Sequence, residues 1–316
     1  MIPIKHSSAG GIAKEPTHHT FRVLTLTTLI ATYLLIVLGS TVRVTESGMG
    51  CNGWPLCSGQ IGPIDQFHPL LEQSHRYLAS IVTILIFSLA IVTWRSGSKG
   101  KHLRPFAIAG VGLIIVQVAL GAITVVTNNA PITVALHLIV GLLFLAVITA
   151  TTVRAFLGEQ SRLVPRSEVE PISIWALTGL FFVLISGSLV VNGEAEKSCP
   201  SWPACFGSQA PGGLVDLQLI HRLIVLVGAV LVASYAVHIF KRKLVSRPQH
   251  YLAITAAVLL ILQIALGAIV ALLKAPDSLA DIHLAMAAAL WSVVVAMVTM
   301  GAFGDHELAT SASVIE

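Results

Sequence analysis

Gln117-Val118-Ala119-Leu120-Gly121-Ala122-Ile123, followed by His137, returns 146 positions later as Gln263-Ile264-Ala265-Leu266-Gly267-Ala268-Ile269, followed by His283. The same offset carries His75-Arg76 onto His221-Arg222. The chain is therefore an internal repeat, and each half sets two histidines 62 positions apart in apolar surroundings. An imidazole there needs a partner, because an unpaired polar group in an apolar medium is costly. Two histidines per half, twice over, read as two metal or heme sites.

The segments around these histidines cannot belong to a soluble domain. Of 316 residues, 55% are hydrophobic and 11% charged, whereas soluble domains carry about 25% charged residues. Uncharged stretches run over 23–42, 77–94, 105–126, 132–153, 172–191, 223–240, 251–273 and 284–304, each near the ~20 residues that cross a bilayer as helix. The fold class expected is all-α integral membrane, with eight transmembrane helices as two parallel-repeat four-helix bundles. An even number of spans per half makes the second half enter from the same side as the first. The halves run over 21–158 and 172–304, joined by a charged cytoplasmic linker over 159–171, with cytoplasmic tails over 1–20 and 305–316.

The net charge of +4 is explained by topology and needs no nucleic-acid partner. With the amino terminus inside, only Arg43, Arg76, Lys197, Arg222 and Lys274 of the 19 Lys and Arg fall outside. The positive-inside rule thus places both termini in the cytoplasm of a cell-membrane protein. The first span has no small-residue cleavage site and reads as an anchor.

The four cysteines stand as Cys51/Cys57 and Cys199/Cys205, in the outside loops after the first span of each half. On the oxidising side of a membrane a Cys-x5-Cys pair points to a disulfide, Cys51–Cys57 and Cys199–Cys205. A redox-active thiol pair and a metal site are the alternatives, the latter lacking two nearby ligands. Both loops share Trp-Pro, at Trp54-Pro55 and Trp202-Pro203, which suggests a short ordered cap.

His75, His137, His221 and His283 begin the second, fourth, sixth and eighth spans, all of which start at the outer face. Pairing within each half is therefore possible, and a helix-bundle core is a usual place for a cofactor site. A heme iron held between two helices takes one neutral imidazole from each, which His75/His137 and His221/His283 can supply. Copper is less suited, as no Met or Cys lies beside these positions. Arg76 and Arg222 follow ligand positions at the interface, where a guanidinium clamps a heme propionate or simply snorkels to water. Gln117, Gly121, Gln263 and Gly267 share the third span of each half, and the glycines serve close porphyrin approach or plain helix packing.

The halves differ where chemistry would need it. Glu72 lies three residues before His75 on the same helical face, while Gln218 stands before His221. One half can thus do acid/base or charge-stabilising chemistry that the other cannot. Arg43 is likewise matched by Val191.

Gly39-Ser40-Thr41-Val42-Arg43-Val44-Thr45-Glu46-Ser47-Gly48-Met49-Gly50-Cys51, Trp54-Pro55-Leu56-Cys57, Glu72-x-x-His75-Arg76 and the repeated histidines resemble the heme A synthase family over nearly the whole transmembrane region. The resemblance implies an oxidoreductase that converts heme O to heme A, turning a porphyrin ring methyl into a formyl group for a terminal oxidase. It implies substrate heme O at His75 and His137, a permanent heme b at His221 and His283, and Glu72 assisting the oxidation. A heme O synthase upstream and cytochrome oxidase assembly downstream are the implied pathway partners. Glu46 stands where the family has Gly after the Thr of its Arg-Val-Thr motif, with Glu194 at the equivalent place in the second half. The rival readings are a di-heme transmembrane electron-transfer cytochrome, which leaves the single carboxylate-bearing half unexplained, and a parallel-repeat transporter, whose site would lie nearer mid-membrane.

Overall fold

The computed structural model describes residues 18–57, 59, 61, 65–159, 170–242 and 245–303, which form eight α-helices and two short 3-10 helices, Ser47–Met49 and Lys101–Leu103. The α-helices are α1 (His18–Val44), α2 (Phe67–Arg95), α3 (Arg104–Val126), α4 (Pro131–Leu157), α5 (Pro171–Asn192), α6 (Gly212–Lys241), α7 (Arg247–Leu272) and α8 (Asp277–Ala302). Each is long and apolar enough to cross a membrane. Most of the expected tails and linker, at 1–17, 160–169 and 304–316, lie outside the described residues.

Each apolar stretch became one helix, but two helices start well before their stretch. α2 opens at Phe67 instead of 77 and α6 at Gly212 instead of 223. The added turns carry Glu72 and Arg76 in α2, and Asp216, Gln218 and Arg222 in α6. Charge ends a hydropathy window without ending a helix, and Glu72 and Arg76 pair at i,i+4 along it. The repeated histidines consequently sit about two turns inside their helices.

α1 packs on α2 and α4, and α3 on the same two; α5 packs on α6 and α8, and α7 on the same two. Across the seam α4 meets α5 and α8, and α1 meets α8. Lipid is as apolar as leucine, so such contacts rest on close packing and interhelical hydrogen bonds. Trp291 of α8 is buried, stacks on Phe181 of α5 at 5.5 Å and donates its indole N–H to Leu142 O of α4 at 2.9 Å. Tyr33 of α1 donates to Ala285 O of α8 at 3.1 Å. The buried hydroxyls of Thr25, Thr28 and Thr32 return to carbonyls of their own helix, which lets polar residues line a buried face without orphaned donors.

α5 and α6 meet at glycines. A Cβ on Gly228 would lie 2.5 Å from Val183 Cγ2 and 3.4 Å from Gly179 O. Gly228→Val is expected to destabilise the folded protein by about 1–3 kcal/mol, the usual cost of overpacking. A detergent melting curve unchanged by that substitution would show that the two helices separate freely.

Candidate active site

Four imidazoles gather in two pairs near the cysteine-loop end of the bundle. His75 of α2 lies within electrostatic reach of His137 of α4, and His221 of α6 within reach of His283 of α8. All four are half-buried, and each faces a glycine on a neighbouring helix. A Cβ on Gly39, Gly121, Gly187 or Gly267 would stand 2.9, 3.3, 3.3 or 3.0 Å from Cε1 of His75, His137, His221 or His283 respectively. The third-span glycines therefore make room for the imidazoles as well as for the helices. Gly39 and Gly187 make the same room on α1 and α5; the sequence offered Gly39 only within the family-like motif and did not single out Gly187. Their signal is an offset of 148, the one that relates the cysteines, and not the 146 of the histidines.

The ring nitrogens are held differently. Ser186 donates its hydroxyl to Val183 O at 2.9 Å and lies 2.8 Å from His221 Nδ1. With its one hydrogen committed, Ser186 accepts from Nδ1–H, which leaves His221 Nε2 as a bare lone pair. Leu38 occupies the matching position in the first half. On α4 and α8, Gln117 Nε2 donates to His137 O at 2.9 Å and Gln263 Nε2 to His283 O at 3.0 Å, each amide also 3.3 Å from the ring Nε2. Nδ1 of His137 and of His283 is buried without a hydrogen-bond partner among the described residues. Paired imidazoles with uncommitted nitrogens, cradled by glycine, fit a heme iron between helices. No group of three or more His, Cys, Asp and Glu able to hold a metal ion occurs among the described residues, so the donor set does not suit a protein-only zinc or copper centre.

One carboxylate stands beside the first pair. Glu72 is buried, accepts from the Cys51 N–H at 2.8 Å through Oε2 and pairs with Arg76 through Oε1. In the second half Gln218, also buried, donates to Glu196 O at 3.3 Å. The cysteine pairs are closed as Cys51–Cys57 and Cys199–Cys205. Arg76 pins the first loop through Gly53 O at 2.8 Å and Pro55 O at 3.2 Å, and Arg222 pins the second through Ser201 O at 2.8 Å and Pro203 O at 3.0 Å. Both loops carry a cis Trp-Pro bond, Trp54-Pro55 and Trp202-Pro203, and both are entered through a glutamate in the left-handed region, Glu46 (φ 54°) and Glu194 (φ 57°). The sequence placed these arginines at the sites; it did not show that they clamp the loops.

A profile of the COX15-CtaA family, cytochrome oxidase assembly proteins, matches residues 22–69 and 65–295 of this chain. The chain belongs to this family. Similar proteins include the heme A synthase of Shouchella clausii, 31% identical over 297 residues that make up 90% of this chain and 97% of that one. The heme A synthase of Alkalihalophilus pseudofirmus is 30% identical over 214 residues, 66% of this chain and 72% of its own. That of Lysinibacillus sphaericus is 27% identical over 287 residues, 86% and 92% of the two chains. A COX15-CtaA member with heme A synthase relatives is an enzyme acting on heme in a multi-pass membrane setting, and the electron-transfer cytochrome reading is not favoured.

Proposed function

We propose that this chain oxidises the ring methyl of heme O to a formyl group, giving heme A for a terminal oxidase. The observation that carries the reading is the asymmetry of two otherwise matched sites: Glu72 lies buried beside the first imidazole pair, and Gln218 takes its place beside the second. His75 and His137 hold the substrate heme, and His221 and His283 hold heme b. Ser186 supports that division, because a hydrogen bond to the far ring nitrogen orients a metal-binding histidine and raises its basicity. His75 has Leu38 in the corresponding place, which suits a site that must release its heme.

Heme b, when bound, supplies one-electron redox chemistry at its iron. Glu72 assists the oxidation, either through its charge, which stabilises positive charge developing on the porphyrin, or by shuttling a proton as a hydroxymethyl group forms. The Cys51 N–H and Arg76 hold that carboxylate in place. Arg76 and Arg222 spend part of their five N–H donors on the loops and turn the remainder to the propionates. The Lys and Arg bias puts both termini in the cytoplasm and the disulfide loops outside. A heme O synthase supplies the substrate, and oxidase assembly consumes the product.

The test is to purify the protein from cells that also express a heme O synthase, and to extract and separate its hemes. Heme b together with heme O, heme A or a hydroxymethyl form is the expected result. Heme b alone at two per chain would move the protein to the di-heme cytochrome reading. Within the second site, Ser186→Ala is expected to weaken heme b retention about tenfold, as loss of such a supporting hydrogen bond does. Unchanged heme b content after detergent washing would limit Ser186 to a role in packing.

A further inference from the structure

His68 opens the first turn of α2, one turn before Glu72 on the same face, and its ring is exposed. Its Nδ1 lies 2.8 Å from Ser47 Oγ, which lies 2.7 Å from Thr45 Oγ1, which donates to Thr41 O at 2.6 Å. A carbonyl can only accept, so Thr45 spends its single hydroxyl hydrogen on Thr41 O. Two oxygens at 2.7 Å need a hydrogen between them, and it must come from Ser47. Ser47, fully buried, then accepts from His68 Nδ1–H. This chain fixes the neutral tautomer of His68 and leaves Nε2 as a bare lone pair, with no partner among the described residues.

None of this exists in the second half. Gly193 and Ala195 stand where Thr45 and Ser47 do at the loop offset of 148, and Leu214 stands where His68 does at the helix offset of 146. On the α2 ridge His68-Glu72-Arg76, the matching α6 residues are Leu214, Gln218 and Arg222. The two differences are the two groups able to carry a proton, and both are in the half that carries the carboxylate. Glu72 itself is shut in, with one carboxylate oxygen on the Cys51 amide and the other on Arg76. Side chains four apart on a helix are neighbours, about 5–6 Å between Cβ atoms.

We propose that His68 is the proton outlet of the substrate half, acting through Glu72 and not on the substrate. The O–H bond of protonated Glu72 breaks, an N–H bond forms at His68 Nε2, and the proton then leaves to water at the loop surface. No electron moves in this step. The proposal rests on the assignment of Glu72 made above. Other charged groups on the segments that carry this network include Arg43, Glu46, Asp65 and Arg76, and Asp281 of α8 accepts from the Thr41 hydroxyl at 2.6 Å.

A simple loop staple would use the same Ser47 contact, and His68→Asn separates the two roles. Its side-chain amide can donate to Ser47 as Nδ1–H does, but it cannot accept and release a proton. The holoprotein, coexpressed with a heme O synthase, is expected to keep its heme content and melting temperature in His68→Asn while heme A formation slows at least about tenfold. External imidazole is expected to restore conversion in His68→Gly, and His68→Gln serves as the second amide if the Asn protein is recovered poorly. Parental conversion in the amide variant, or no response of the Gly variant to imidazole, would overturn the proposal. Glu72→Gln keeps the two readings apart: if it is inactive while His68→Asn is normal, only the outlet fails, and if it is itself active, the Glu72 assignment fails first.

Discussion

Replacing Glu72 by glutamine is expected to cut heme A formation at least about a hundredfold while leaving total heme per chain unchanged. The second half contains the control for this substitution. There Gln218 occupies the matching buried position, Arg222 still pins its loop through Ser201 O and Pro203 O, and the Cys199–Cys205 bridge forms. In Glu72→Gln the amide oxygen can still accept from the Cys51 N–H, and Arg76 keeps Gly53 O and Pro55 O. The disulfide loop keeps these contacts, and the substitution removes the ion pair to Arg76 together with a charge and a proton-carrying site. A positioned acid/base group contributes about 10²–10⁴-fold to a rate, so conversion should fall at least about a hundredfold. The measurement is the ratio of heme A to heme O in extracts of the purified variant, with total heme per chain alongside. Parental conversion would remove Glu72 from the chemistry and leave it as a loop anchor.

Replacing His221 by alanine is expected to lower the heme b content of the purified protein. His221 is the best-prepared of the four imidazoles, with Nδ1–H held by Ser186 at 2.8 Å and Gly187 leaving room at Cε1. Loss of a supporting contact alone costs about 10–100-fold in metal affinity, so loss of the ligand should cost at least as much. Heme b per chain is expected to fall below a tenth, with the bis-histidine absorption of that site gone. Conversion is expected to fall with it. His75→Ala should spare heme b and remove retained heme O, which makes the two halves separable by extraction alone. Full heme b retention in His221→Ala would reverse the division of labour between the halves.

The repeat was readable without coordinates because it is one-dimensional. Matching His75 to His221 and His137 to His283 needs only a constant offset, and two imidazoles per half in apolar sequence already call for a partner. The eight helices were readable for the same kind of reason, as a bilayer allows few ways to satisfy a backbone. Their starts were not, because hydropathy drops at Glu72 and Arg76 whereas the helix runs on through their pairing.

Contacts between distant segments could be seen only after folding. Arg76 reaches back 23 positions to Gly53, Ser186 meets His221 across 35, and Ser47 meets His68 across 21. Composition favours neither a propionate nor a loop carbonyl as the partner of an arginine. Which one it meets depends on where the loop turns, and the loops turn at Glu46 and Glu194 under backbone angles that the residue types do not announce. The amino-acid order specifies the helices, the histidine pairs and the Glu72/Gln218 difference, because local period and internal repetition encode them. The tautomer of His221, the cradle at Gly39 and Gly187 and the Ser47 contact of His68 arise from packing, because hydrogen-bond direction and close approach are properties of several segments at once.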